Sequence, residues 1–279
     1  MDTKTRPLYM LSTRDPPRNK GHTETESEGL EKDIPQRYFV NVNQLNKNII
    51  TISGNDVHHI KNVMRMQVGD KVICACDKKA FLCEISEISD NVKCNILEDI
   101  TKNTALNSKV TIAQGLVRRE KTEEVVRRLT ELGCTNYIPL IMKRSIIKID
   151  KINDFKLDRY QKIIKEASEQ SQRNDLMNIS SIKSIHDLIN ESNDYDLLLL
   201  ADANEENYML KDIDFTNNHY QNILVVIGPE GGFDEAEKNL LVNNGFKVVS
   251  FGARVLRTET APLYAMSVLG YIIGDKDEN

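Results

Sequence analysis

Two strand-sized apolar runs near the C-terminus each break into a loop carrying glycine and charge, and this pairing constrains the chain more than any other feature. Ile223-Leu224-Val225-Val226 runs into Ile227-Gly228-Pro229-Glu230-Gly231-Gly232-Phe233. Val248-Val249-Ser250-Phe251 runs into Gly252-Ala253-Arg254-Val255-Leu256-Arg257-Thr258-Glu259-Thr260-Ala261. Both loops lead into helical sequence. In open α/β sheets ligands bind beyond the carboxyl ends of the strands, so two such loops predict one pocket with two walls. Glycine lets the backbone approach a ligand with no β-carbon in the way. The first loop has neither the Gly-Lys-Ser/Thr of a P-loop nor the spacing of G-x-G-x-x-G, and alone it fits a plain strand-to-helix turn. In the second, Val255 and Leu256 can wall an apolar pocket and Arg257 can hold a phosphate or ribose in two-point fashion. Glu259 and Thr260 are suited either to the site or to capping the helix that follows.

Residues 105–279, which contain these loops, alternate strands and helices, as a parallel sheet with crossover helices requires. Strands are expected at Val110 to Ala113, Tyr137 to Ile141, Asp196 to Ala201, Ile223 to Ile227 and Lys247 to Phe251. Helices are expected at Glu120 to Leu132, Phe155 to Gln170, Asp234 to Asn244 and Thr260 to Ile273. Asp234 with Glu237 reads as a capping box, Gly245 as a left-handed stop, and Pro262 fits a first helical turn. Residues 36–104 read as a small β-rich unit, with strands at Arg37 to Asn41, Lys71 to Cys76, Phe81 to Ile88 and Val92 to Leu97. One helix, Asp56 to Met66, would present Val57, Ile60, Val63 and Met64 on one face. A small barrel closes such a unit without bare edges. Residues 1–35 are polar, without apolar periodicity, and read as a disordered extension or leader.

The 279 residues, 40% apolar and 28% charged, suit a soluble globular protein. No run approaches a membrane span of roughly 18 apolar residues, and no signal peptide is evident, so the expectation is a cytoplasmic protein without membrane contact. The five cysteines, Cys74, Cys76, Cys83, Cys94 and Cys134, form no C-x-x-C pair, and His58-His59 reads as a surface pair; no metal is expected. The net charge of −5 hides an asymmetry. Residues 105–183 carry sixteen Lys and Arg against ten Asp and Glu, whereas 184–279 carry six against seventeen. A local basic excess is compatible with an RNA partner, and equally with solvated helix faces.

Taken together, GPEGGF and RVLRTETA resemble the 16S ribosomal RNA uracil-N3 methyltransferases of the SPOUT (SpoU–TrmD) class, the RsmE type. Arg37-Tyr38-Phe39 resembles that family's opening. His58 through Met66 with Gly69-Asp70, Lys121 through Gly133, and Glu169-Gln170 with Arg173 match further segments in order. The resemblance covers residues 37–275. It implies a PUA-like barrel that places RNA, followed by a catalytic α/β domain with a trefoil-knotted C-terminal chain. It also implies a homodimer whose partner subunit helps complete each site, acting on 16S rRNA of the small ribosomal subunit. S-adenosylmethionine would be contacted by Leu200, Ala201, Gly228, Glu230, Gly231, Gly232, Leu256, Arg257 and Thr258. RNA would be contacted by Arg37, Arg65, Lys121 and Arg173. The chain departs from the family's usual pattern at Ala201-Asp202, Arg128 and Ala253. Other readings are a methyltransferase of the same fold acting on another rRNA position or on tRNA, and a non-catalytic RNA-binding assembly factor.

Methylating a ring nitrogen requires in-line approach and removal of the N3 proton. No cysteine nucleophile is needed, because the acceptor is nitrogen. Arg257 is expected to stabilise the imide anion and Glu259 to act as base or orienter, with Arg173 guiding the RNA backbone.

Overall fold

The computed structural model describes residues 35–146 and 155–274; the leader expected at 1–35 lies, Pro35 apart, outside them. The first sheet contains β1 (Arg37–Phe39), β2 (Leu45–Asn46) and β3 (Ile49–Ile52). After α1 (Asn55–His58) and a π-helical turn at His59–Val63, it continues with β4 (Lys71–Cys76), β5 (Lys79–Ile88) and β6 (Val92–Asp99). Its spatial order is β1-β4-β5-β6-β3-β2, antiparallel throughout except for the parallel pair β1–β4. Inward residues of five strands meet in one core, among them Tyr38, Ile50, Ile52, Val72, Cys74, Cys83, Ile85, Val92 and Cys94. The sheet must therefore curl on itself, and two register shifts in β5 mark where it bends. The expected barrel takes this form, with the ladder ending at β1 and β2.

The expected helix from Asp56 to Met66 is shorter and differently wound. The π-turn widens the coil, so Val57 and Ile60 stay buried while Val63 and Met64 are exposed. Arg65 then ends the segment at φ +54°. The β2–β3 hairpin had no glycine to announce it, since Lys47 adopts the left-handed turn conformation. All five cysteines are free and buried. Burial pushes the Cys134 thiol up to about 12, which keeps it protonated and inert.

The second sheet is laid down as β7 (Lys109–Gly115), α2 (Arg119–Glu131), β8 (Asn136–Ile141), α3 (Leu157–Gln170), β9 (Asn178–Ile179), β10 (Lys183–Ser184) and α4 (Ile185–Asn190). It is completed by β11 (Leu197–Ala201), β12 (Asn222–Ile227), α5 (Glu235–Asn243), β13 (Lys247–Val249) and α6 (Ala261–Ile273). All its pairs are parallel, in the order β10-β8-β7-β12-β11-β13, with β9 beside β8. Strand alternation fills two cores. Ile223, Val225 and Ile227 pack with α2, α3 and α6, while Leu224 and Val226 pack with Ile185, Leu188 and Leu241 of α4 and α5. A central parallel strand covered on both faces must be apolar throughout, which explains the unbroken run in β12.

From β13, at the outer edge, the chain crosses the carboxyl ends of its neighbours and returns as α6 against β7, β12 and α2. Asp234 caps α5 through the Ala236 N–H at 3.2 Å, a contact of about 1 kcal/mol. Glu237 does not complete the expected box, because its carboxylate accepts the Lys143 backbone N–H at 2.8 Å. Gly245, at φ +90°, ends the helix as expected. Thr260 makes no side-chain cap, whereas Pro262 does lie in the first turn of α6.

Candidate functional site

β7, β11, β12 and β13 run parallel, so their carboxyl ends share one edge of the sheet. The loops after β11, β12 and β13 border a single cavity of about 550 Å³ there. What joins the loops is a buried side-chain chain beneath them. Tyr137 donates its hydroxyl to Gln114 Oε1 at 3.0 Å. Gln114 Nε2 donates to the Thr258 carbonyl at 2.6 Å and to Thr258 Oγ1 at 3.1 Å. Thr258 Oγ1 in turn donates to the Gly228 carbonyl at 2.8 Å. Donors and acceptors alternate along the chain, as a low-dielectric interior demands. The second loop is thereby pinned to the first.

The first loop is pressed onto its supports. A β-carbon on Gly115, at the end of β7, would lie 2.5 Å from Pro229 Cδ, and one on Gly231 would lie 2.9 Å from Arg144 Cβ. Arg144 Nη1 also donates to the Gly231 carbonyl at 3.3 Å. Gly232 (φ +68°) and Gly252 (φ +108°) border the cavity instead, and a β-carbon on either would meet no protein atom within 4 Å. Their lack of side chains keeps that space open.

Charge is concentrated at the same place. Lys121, in the first turn of α2, reaches Glu259 at 3.1 Å and Glu230 at 3.5 Å, one carboxylate from each loop. The Glu259 hydrogen bond raises the lysine's pKa. Burial opposes ionisation of Glu259, but its own backbone N–H, Lys121 and Arg257 together hold it below the usual carboxylate range. Asp202, following β11, pairs with Lys238, and this pairing with the Asn204 N–H outweighs burial to keep it ionised. Arg254 and Arg257 border the cavity and are exposed, and Val255 between them is 82% exposed.

The structure brings Ala201, Gly228, Glu230, Gly231, Gly232, Leu256, Arg257, Thr258 and Glu259 to this cavity. Three residues, Leu200, Arg37 and Arg173, lie elsewhere than expected. Leu200 is fully buried in the core shared with α4 and α5, because strand alternation turns it away from the site. Lys121, an expected RNA contact, borders the cavity and ties its two loops. Arg37 and Arg173 are each only 5% exposed, and their guanidiniums are bonded to internal carbonyl and amide oxygens. Arg65 is exposed on the first sheet's unit. Sequence reasoning missed Gln114, Gly115, Arg144 and Lys238, and left Asp202 out of the site. A polar Gln-Gly closing the apolar run Val110 to Ala113 was the one available signal. Among the described residues no cluster of His, Cys, Asp and Glu is placed to hold a metal, and no helix is long and apolar enough to cross a membrane.

Two family descriptions match this architecture. An RNA methyltransferase PUA domain matches residues 52–97 and an RNA methyltransferase domain matches residues 104–270. The ribosomal RNA small subunit methyltransferase E of Bacillus subtilis is 38% identical over 250 residues, spanning 85% of this chain and 96% of that protein. The chain belongs to the ribosomal RNA small subunit methyltransferase E family. The Aquifex aeolicus methyltransferase E is 32% identical, over 80% of this chain and 94% of its own length. A crystal structure of the Neisseria gonorrhoeae methyltransferase E bound to S-adenosyl methionine superposes with a TM-score of 0.73 at 25% identity, covering 86% of this chain and 98% of that one. The methyltransferase E fold is therefore the α/β arrangement described above, with its cavity at the carboxyl edge of the parallel sheet.

Proposed function

We propose that this chain transfers a methyl group from S-adenosylmethionine to N3 of a uridine in 16S rRNA of the small ribosomal subunit. The observation that carries this reading is the pair of cross-tied glycine loops around one cavity of about 550 Å³. That volume suits a nucleoside-sized ligand, and the open space beside Gly232 and Gly252 is the cradle a flat heterocycle needs. Ala201, Gly228, Gly231, Gly232, Leu256 and Thr258 would hold the cofactor, with Glu230, Asp202 and Arg257 at its polar margins. Bound there, S-adenosylmethionine supplies an electrophilic methyl on a sulfonium.

The chain's residues must orient the uracil and dispose of its N3 proton. Glu259, held below the usual carboxylate range and paired with Lys121, is a weak base, so we assign it the orienting role. Arg257 is exposed at the cavity, and its guanidinium donors are suited to stabilising the imide anion as N3 gives up its proton to solvent water. An N3 that faces a pairing partner must first be unpaired or splayed out.

We read residues 36–104, including Arg65, as the RNA-placing domain and 105–279 as the methyltransferase domain. The return of the chain from β13 to α6 across its neighbours is the path expected of the trefoil knot. A homodimer is supported by the exposed apolar side chains Val255 and Tyr271, 82% and 91% accessible.

The test is methyl transfer from labelled S-adenosylmethionine to naked 16S RNA, small subunits and tRNA, followed by mass mapping of the product nucleotide. Label on uridine N3 of 16S RNA is the expected result. Label confined to tRNA or to another 16S position would transfer the site to a different substrate. Cofactor binding without transfer to any RNA would leave the assembly-factor reading.

A further inference from the structure

Arg37 opens β1 of the first sheet, yet its guanidinium acceptors all lie in the short segment after α3. Nε donates to Gln172 Oε1 at 3.1 Å, and Nη1 donates to the Arg173 carbonyl at 3.1 Å and to Asn174 Oδ1 at 2.6 Å. Asn174 extends the contact to the strand-free link between the sheets, donating Nδ2 to the Lys102 carbonyl at 2.6 Å and its backbone N–H to Thr104 Oγ1 at 3.3 Å. Arg173 anchors the same segment to the end of α2, with Nη1 donating to the carbonyls of Thr130 at 2.8 Å and Cys134 at 3.0 Å. Its Nη2 meets Asp175 at 3.2 Å.

Helix α3 also packs against β1. Lys165 of α3 pairs with Asp56 of α1 and lies 3.6 Å from Glu169 Oε1. The two sheets thus meet through a buried polar network centred on one arginine.

Such a network resists rotation. Sliding β1 by a single residue would leave several buried carbonyls without donors, and a buried unpaired group is strongly disfavoured. Arginine's planar fork serves acceptors from three consecutive residues, which a lysine ammonium cannot reproduce in the same geometry. Methyl transfer is sensitive to such geometry, since a displacement of about 1 Å can cost roughly 100-fold in rate.

We propose that Arg37, Gln172, Arg173 and Asn174 form a positioning joint that fixes the angle between the first sheet and the cavity, so that RNA held by the first sheet presents its base to the methyl donor at one set distance. These are positioning residues, and the proposal rests on the RNA-methylation reading above.

The experiment uses the full chain with Arg37→Met, Arg37→Lys and the milder Gln172→Ala. Calorimetry with S-adenosylmethionine and steady-state methylation of 16S RNA in small subunits are measured side by side. Cofactor affinity should stay within about twofold of wild type, while kcat/KM for the RNA falls about 10- to 100-fold for both Arg37 variants and less for Gln172→Ala. Rescue by Arg37→Lys, or a parallel loss of cofactor affinity, would overturn the joint as a positioning device. A second measurement is independent of activity. Spin labels at Asn91→Cys and Lys247→Cys, one on each sheet's unit, should give one narrow distance that broadens on Arg37→Met. An unchanged distribution would overturn the joint even if wild type methylated nothing, and inactive wild type with a broadened distribution would sink only the methylation reading.

Discussion

The cavity at the carboxyl edge of the second sheet and the seam beneath β1 use arginine in opposite ways. At the cavity, Arg254 and Arg257 are exposed and keep their donors toward open space. At the seam, Arg37 and Arg173 are 5% exposed and bonded to acceptors from the chain itself. A guanidinium that can find several internal carbonyls becomes a structural crosslink. One surrounded by glycine and solvent remains available to a ligand. The seam is tied because its arginine donors are spent on internal acceptors, and the cavity can bind because its own arginines stay exposed.

That contrast is easiest to break at the cavity's foundation. Gly115→Val would drive a side chain into Pro229, whose Cδ already lies 2.5 Å from the added β-carbon. Loss of cofactor affinity by about 100-fold, read by calorimetry, is expected from overpacking of a few kcal/mol, although Gly115 itself does not border the cavity. Next in size is Glu259→Gln, which removes the carboxylate that holds Lys121. Single-turnover kinetics should show methyl transfer slowed by roughly 10- to 100-fold with cofactor affinity little changed; unaltered turnover would remove Glu259 from the reaction. Gln114→Leu should be milder, about 1–3 kcal/mol of stability for leaving Tyr137 and Thr258 without their partner, visible as a lowered melting temperature and weaker cofactor binding.

The seam makes a prediction in pH. Burial, with help from Asp56, raises the Glu169 carboxyl to about 7 against the opposing pull of Lys165 and the Phe39 N–H. The folded state therefore holds a proton that the unfolded chain has released, so stability falls as pH rises from the ordinary glutamate range to about 7. Glu169→Gln should abolish this slope: its melting-temperature advantage over wild type should grow across that window and level off above it. A flat difference across pH would show that the carboxyl is not shielded by the seam. Smallest is Asp234→Ala, expected to cost about 1 kcal/mol through its cap on α5, measured by denaturant unfolding.

Much of the second sheet was readable because its signals are local. The apolar run of β12, the Asp234 cap and the Gly245 stop each act within a few residues, and they lie where expected. The β2–β3 hairpin was not readable, since its turn uses Lys47 at positive φ in place of glycine. α4 was missed even though Ser184 and Asp187 form its reciprocal cap, because six residues give too little periodicity. At the site, glycine and charge marked the two loops that border the cavity, whereas Gln114 went unnoticed because its partner Thr258 lies 144 residues away, and Gly115 because its neighbour Pro229 sits in another loop.

Residue order alone determined which strands would be buried on both faces, which loops could come close to a ligand, and to which family the chain belongs, because backbone conformation and periodicity are properties of neighbours in sequence. Only the tertiary structure decided which charged groups serve the cavity. Lys121 borders it, Arg37 and Arg173 are buried at the seam, and Leu200 is turned into the core, since a side chain's partners are set by whichever acceptors and apolar surfaces the fold brings within reach.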